Sequence, residues 1–245
     1  MVVFGATLLV ATLIWLCVDA LAVGDRAQVF AAVSPGMLPP LGIVFALVVG
    51  FLAAGVWNDA SDARLEVNRE ASALRTADLL VDVFPKPEAA RMRFLIRRHI
   101  TQDVEQEWPA MARRKVTLTV IPPALAGALR LALRLHPRTE GQSVAQRELT
   151  ISLENALDAR RQRIIISESR VNWARWAGVV TLAILALIGI ASVHAGRRAT
   201  AAIALSTFAC AIATSIILIV SQDRPFGGPF GVKPGPLEQV VPRVR

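Results

Sequence analysis

The stretch that most constrains the chain is 40–80, PLGIVFALVVGFLAAGVWNDASDARLEVNREASALRTADLL. Through Trp57 it is uncharged and mostly apolar, long enough to cross a hydrocarbon core of roughly 30 Å. Beyond Trp57 it becomes charged, yet Val67, Ala71, Leu74, Ala77 and Val81 keep helical spacing. Neither Pro nor a helix-ending Gly divides the halves. The stretch therefore predicts one long helix that leaves the membrane near Trp57 and continues into water. In its apolar half Ile43, Leu47 and Phe51 fall four apart and share a face.

Composition agrees with a membrane protein. The chain has 245 residues, 54% of them hydrophobic, and its charges concentrate between Asp59 and Arg175. Its formal charge is +8, but basic residues alternate with acids on helical faces, so no nucleic-acid partner is expected. Cys17 and Cys210 lie in apolar runs and read as buried small hydrophobes, not as a disulfide or metal pair.

The first apolar run is 2–23, broken only by Asp19. Its rival reading is a signal peptide cleaved after Ala20-Leu21-Ala22, but no Lys or Arg precedes it. Asp19 is either an ion site or a group near interfacial water. Residues 24–38 read as a loop, with Pro35, Pro39 and Pro40 bracketing the next entry. Spans follow at about 38–57, 173–195 and 200–220, with Gly196-Arg197-Arg198 as the last turn. The organisation is thus spans 1 and 2 within 1–57, a helical insert at 58–172, spans 3 and 4 within 173–220, and a Pro/Gly-rich tail at 221–245. The fold class is an all-α integral membrane protein.

Arg64, Arg69, Arg170, Arg175, Arg224, Lys233, Arg243 and Arg245 outnumber Arg26, Arg197 and Arg198 at span ends. The positive-inside rule places the insert and both termini in the cytoplasm; the expected location is the cell's inner (plasma) membrane. Trp57, Trp173 and Trp176 fall at one boundary, as interface anchors would.

Within the insert, 86–111 carries Met92, Leu95, Ile96, Ile100 and Val104 on one face, and 124–135 reads as a further helix. Residues 117–121 look briefly strand-like before Pro122-Pro123. From Gln142, the spacing of Leu149, Leu153, Ala156, Leu157 and Ile164 predicts a helix running on into the third span. No Gly-rich phosphate loop, HExxH, CxxC or GxSxG is present, and no enzyme, cofactor or metal is expected. His99, His136 and His194 are scattered and read as structural or solvated. Glu105, Glu107 and Trp108 read as a solvated acidic face before Pro109. In the tail, Phe226-Gly227 and Phe230-Gly231 favour packing on the insert over disorder.

Residues 49–71 (VGFLAAGVWNDASDARLEVNREA), 105–111 (EQEWPAM) and 223–234 (DRPFGGPFGVKP), in this two-plus-two layout, resemble the bacterial bestrophin-like membrane proteins. The tail motif rests on Asp223, Pro225 and Phe226. That family is distantly similar to the bestrophins, pentameric anion channels. The resemblance implies a homo-oligomer, a pentamer by analogy, passing inorganic anions such as chloride. Ile43, Leu47 and Gly50-Phe51 match the pattern of the bestrophin pore neck. Two departures stand out: the following Trp lies about a turn closer, and only Glu238 follows PFG where the calcium clasp has a run of acids. Calcium gating is not expected. The alternative reading is a non-conducting scaffold or sensor whose insert binds a cytoplasmic partner.

Overall fold

The computed structural model describes residues 1–33, 36–169 and 171–240. Pro35, Arg170, Arg243 and Arg245, used above for span entry and orientation, lie outside the described residues. The described part is helical with no strand. It divides into two compact units, Met1–Trp57 with Arg170–Asp223, and Asn58–Ser169 with Arg224–Arg245.

The first unit holds α1 (Val2–Leu21), α2 (Asp25–Val33), the apolar half of α3 (Leu38–Leu80), α8 (Trp173–Val193) and α9 (Arg198–Gln222). Among the described residues α1, α3, α8 and α9 are long and apolar enough to cross a membrane. Pro39 and Pro40 sit in the first turn of α3, where their missing N–H groups cost nothing. α1 packs on α8 and α9. Ala183, Ala186, Ala201, Ala209 and Ala213 are all buried, letting backbones approach where lipid supplies no hydrophobic drive. Phe45 meets Phe208 with ring centroids 5.7 Å apart. The turn before α9 places Gly196 at φ 85°, a conformation only Gly adopts freely.

The second unit joins the charged half of α3, α4 (Lys86–Gln102), α5 (Trp108–Ala112), α6 (Pro123–Leu133), α7 (Glu140–Glu168) and α10 (Gly235–Glu238). Val67, Ala71, Leu74, Ala77 and Val81 are buried in its core with Met92, Ile96, Leu149 and Leu153. Thr139 caps α7 by accepting from the Gln142 amide at 3.2 Å. Gln146 closes α6 by donating to the carbonyls of Ala132 and Leu135 at 2.8 and 2.9 Å.

Five expectations change. The loop expected at 24–38 contains α2. The helix expected over 86–111 passes through one widened turn of π type, Asp103–Glu107, between α4 and α5. Residues 117–121 form turns without strand pairing, so the β-branched run was no strand. The helix from Gln142 does not enter the third span. α7 stops at Glu168, and Asn172 starts α8 afresh by accepting from the Ala174 amide at 3.2 Å. Cys17 and Cys210 are exposed on their helices, facing away from the unit's own core.

Candidate functional site

Two features carry chemical potential, one in each unit. In the first, the apolar half of α3 has two faces. Phe45, Leu52 and Val56 are buried in the unit's core, whereas Ile43, Leu47 and Phe51 are 61%, 54% and 75% exposed. An apolar stripe left uncovered by its own chain must meet lipid, another copy or a dewetted pore. Trp57 and Trp173 are likewise exposed, and Trp176 is half-buried against the unit's core. Near the opposite end of α1, Asp19 pairs with Arg198 at 3.3 Å, a partner that sequence spacing could not supply.

The second unit encloses a charged cluster. Glu70 of α3, His99 of α4, Asp103 in the π turn and Arg163 of α7 are all essentially without solvent contact. His99 Nε2 lies 3.0 Å from Glu70 Oε1 and 3.5 Å from Asp103 Oδ2. Arg163 bridges all three acids: Nε is 3.3 Å from Glu70, and Nη2 is 2.7 Å from Asp103 and 2.8 Å from Glu107. Arg160 donates from Nε and Nη2 to Glu107 Oε2 at 2.9 and 2.6 Å. The widened turn is what keeps His99, Asp103 and Glu107, each four residues apart, on the inward side together with Trp108. Arg163 also lies over the Trp108 ring, 4.9 Å from its centroid.

Three carboxylates face two guanidiniums, so the cluster is neutral only when it holds one further proton. Burial alone would strip that proton from His99, but the charge of Asp103 and the hydrogen bond to Glu70 outweigh it and raise the imidazole pKa. Burial also pushes Asp103 up, to about 6, against the opposing pull of Arg163. Glu70 goes the other way. Burial would raise it, but Arg163 and the His99 hydrogen bond hold it below its ordinary value. A cavity of about 300 Å³ lies beside the cluster, with Asp103, Glu107 and Arg160 among its lining residues.

Glu70, His99 and Asp103 could also be read as metal ligands, since their ligand atoms lie within 4.8 Å of one another. Arg163 already occupies the cationic position on two of the three. A divalent ion would have to displace a buried guanidinium, so the set is built as an ion-pair network.

The tail locks onto this cluster. Trp108 Nε1 donates to the Val232 carbonyl at 3.0 Å, and Phe226 stands edge-on to Trp108 at 5.4 Å between centroids. The Val232 amide donates to the Pro225 carbonyl at 2.7 Å, closing the Phe-Gly loop. A side chain at Gly231 would lie 2.9 Å from the Gly227 carbonyl oxygen, so the loop admits only Gly there. Phe226 and Leu237 are buried while Phe230 is exposed, so one of the two Phe-Gly pairs packs and the other does not. In the first unit, Asp223 accepts from the Val171 amide at 3.0 Å just before α8.

The solvated acidic face expected at 105–108 is therefore only partly right. Glu105 is exposed, but Glu107 is tied to two arginines and Trp108 is core. His99 is structural and buried, and His136 is exposed. Glu70, Asp103, Arg160 and Arg163 were missed. The available signal was charge lying on apolar stripes: Glu70 beside Val67 and Leu74, and Arg163 beside Ala156 and Ile164. Periodicity cannot say that these charges meet.

No curated protein sequence matches the chain, and no solved structure does. A family model does, described as a Bestrophin-like domain and matching residues 5–237. The four apolar helices and this match make the chain a multi-pass membrane protein that contacts the lipid bilayer. Its helical architecture, its tail motif and a match spanning nearly its whole length place the chain in the Bestrophin-like family.

Proposed function

We propose that the chain assembles as a homo-oligomeric anion channel, pentameric by the resemblance, with Ile43, Leu47 and Phe51 forming its neck. The observation that carries the reading is the uncovered apolar stripe of α3, in a family that in general includes anion channels. Arranged around a symmetry axis, the stripe would give three apolar rings spaced about 6 Å, from four residues at 1.5 Å rise. An anion crossing them loses hydration without gaining hydrogen bonds, so the rings are the main barrier and gate by dewetting. The basic second unit lies on the cytoplasmic side and raises the local anion concentration. Trp57, Trp173 and Trp176 anchor the interface. The cluster around Arg163 holds this unit together and performs no reaction.

Chloride flux from liposomes holding the purified protein tests the neck. Leu47→Ala, Phe51→Ala and the double variant widen the rings, so flux should rise while thermal stability stays close to the parent's. If the stripe instead packs on neighbouring helices, each truncation leaves a cavity costing roughly 2–5 kcal/mol. Absent flux in a destabilised protein would overturn the channel and leave a scaffold or sensor that binds a partner through the second unit.

A further inference from the structure

A groove between α4 and α6 is lined by charged residues of one sign only. Arg91, Leu95, Gly127, Arg130, Leu131 and Arg134 line it, enclosing about 440 Å³, within the roughly 300–1,000 Å³ of ordinary ligand sites. Its lining includes three guanidiniums and no acid. Among the described residues none of the three is in an ion pair with a carboxylate, which is common among the exposed arginines of this chain; what sets these three apart is that they converge on one groove. Arg130 lies in the last turn of α6 and Arg134 is the residue that caps its C-terminal end, so two cations of like sign stand about one turn apart. The negative end of the α6 dipole accounts for cations there, but it does nothing for Arg91 in the second turn of α4.

We propose that this groove is a binding site for an anion carrying two or more phosphate charges. Three planar guanidinium forks offer paired N–H donors matched to phosphate oxygens. Leu95, Leu131 and the bare wall at Gly127 supply an apolar floor for the rest of such a ligand. The volume exceeds what one monatomic anion needs, and the charge calls for more than one negative group. The site is independent of the pore reading.

The test uses the full chain in detergent, titrated calorimetrically with inorganic triphosphate. Binding should weaken as salt is raised. Arg91→Gln, Arg130→Gln and Arg134→Gln should each weaken it roughly ten-fold, because each removes a charge-assisted contact. All three side chains are exposed, so melting should be unchanged and the loss is then one of binding. Arg161→Gln, which removes an exposed arginine outside the groove, should leave the affinity as it was. Absence of triphosphate binding, or an equal loss in Arg161→Gln, overturns the site. Citrate binding as tightly as triphosphate overturns the phosphate assignment. Nanodiscs then separate the two sources of such chemistry. Weaker triphosphate binding in discs containing phosphatidic acid than in pure phosphatidylcholine assigns the groove to a lipid headgroup phosphate. Equal binding assigns it to a soluble oligophosphate.

Discussion

Arg163→Met removes the one cation that touches every acid of the buried cluster. In the parent, Arg163 neutralises Glu70 at 3.3 Å, Asp103 at 2.7 Å and Glu107 at 2.8 Å. Without it Glu107 keeps Arg160, but Glu70 and Asp103 share only the His99 imidazole, and both are cut off from solvent. Breaking a buried pair in this way costs about 3–5 kcal/mol, because a charge is left in a medium that cannot solvate it. For a domain of this size that is a fall of roughly 10–20 °C in Tm. The methionine largely preserves volume and stays against Trp108, so cavity formation contributes little. Differential scanning fluorimetry on the detergent-purified protein reads the shift. Glu70→Gln placed on the Arg163→Met background should recover a large part of it, since the stranded charge is then gone. Arg163→Lys should fall between, keeping the charge but losing the fork. A melting point for Arg163→Met within a few degrees of the parent refutes the buried network. A double variant no better than the single one refutes the electrostatic cause and leaves packing on Trp108 as the reason.

The same cluster sets a pH dependence. His99 has its folded pKa raised above the ordinary 6.5, so its contribution is fully present below 6.5 and is lost as pH rises through the raised value. The groups facing it are Glu70 on α3, Asp103 in the π turn and Arg163 on α7, with Glu107 and Arg160 beyond. Asp103, raised to about 6, loses its contribution between about 4 and 6, and the lowered Glu70 acts only below its ordinary 4.5. Melting curves from pH 6 to 9 should therefore decline in the parent and flatten in His99→Gln; parallel curves would contradict the assignment. Gly231→Ala forces a Cβ to within 2.9 Å of a backbone oxygen, and overpacking of this kind costs about 1–3 kcal/mol. It should expose the tail to limited proteolysis near Phe226, and an unchanged digestion pattern would show the loop to be slack. For orientation, Arg138→Cys and Glu238→Cys should resist membrane-impermeant thiol reagents in intact cells, and Gln28→Cys should react. The background for that labelling needs Cys17 and Cys210 replaced, since both are exposed. Reaction at Arg138→Cys in sealed cells would reverse the topology.

Whatever depends on periodicity along one helix was legible in the sequence. The uninterrupted passage from Leu38 to Leu80, the apolar stripe of Ile43, Leu47 and Phe51, and the buried face from Val67 to Val81 all follow from 3.6 residues per turn. Both Phe-Gly pairs in the tail read as packing signals, because aromatic residues are poorly kept in solvent; of the two, Phe226 packs and Phe230 does not. Tertiary structure alone decided which charges meet. Glu70, His99 and Arg163 come from α3, α4 and α7, separated by 29 and 64 positions, and no local rule couples helices so far apart. It also decided where helices end. The break before α8 depends on Asn172 capping and on Asp223 receiving the Val171 amide, a contact made across 52 residues. Helical spacing carries across such a break without showing it, because a cap acts on the backbone while periodicity reads only side chains.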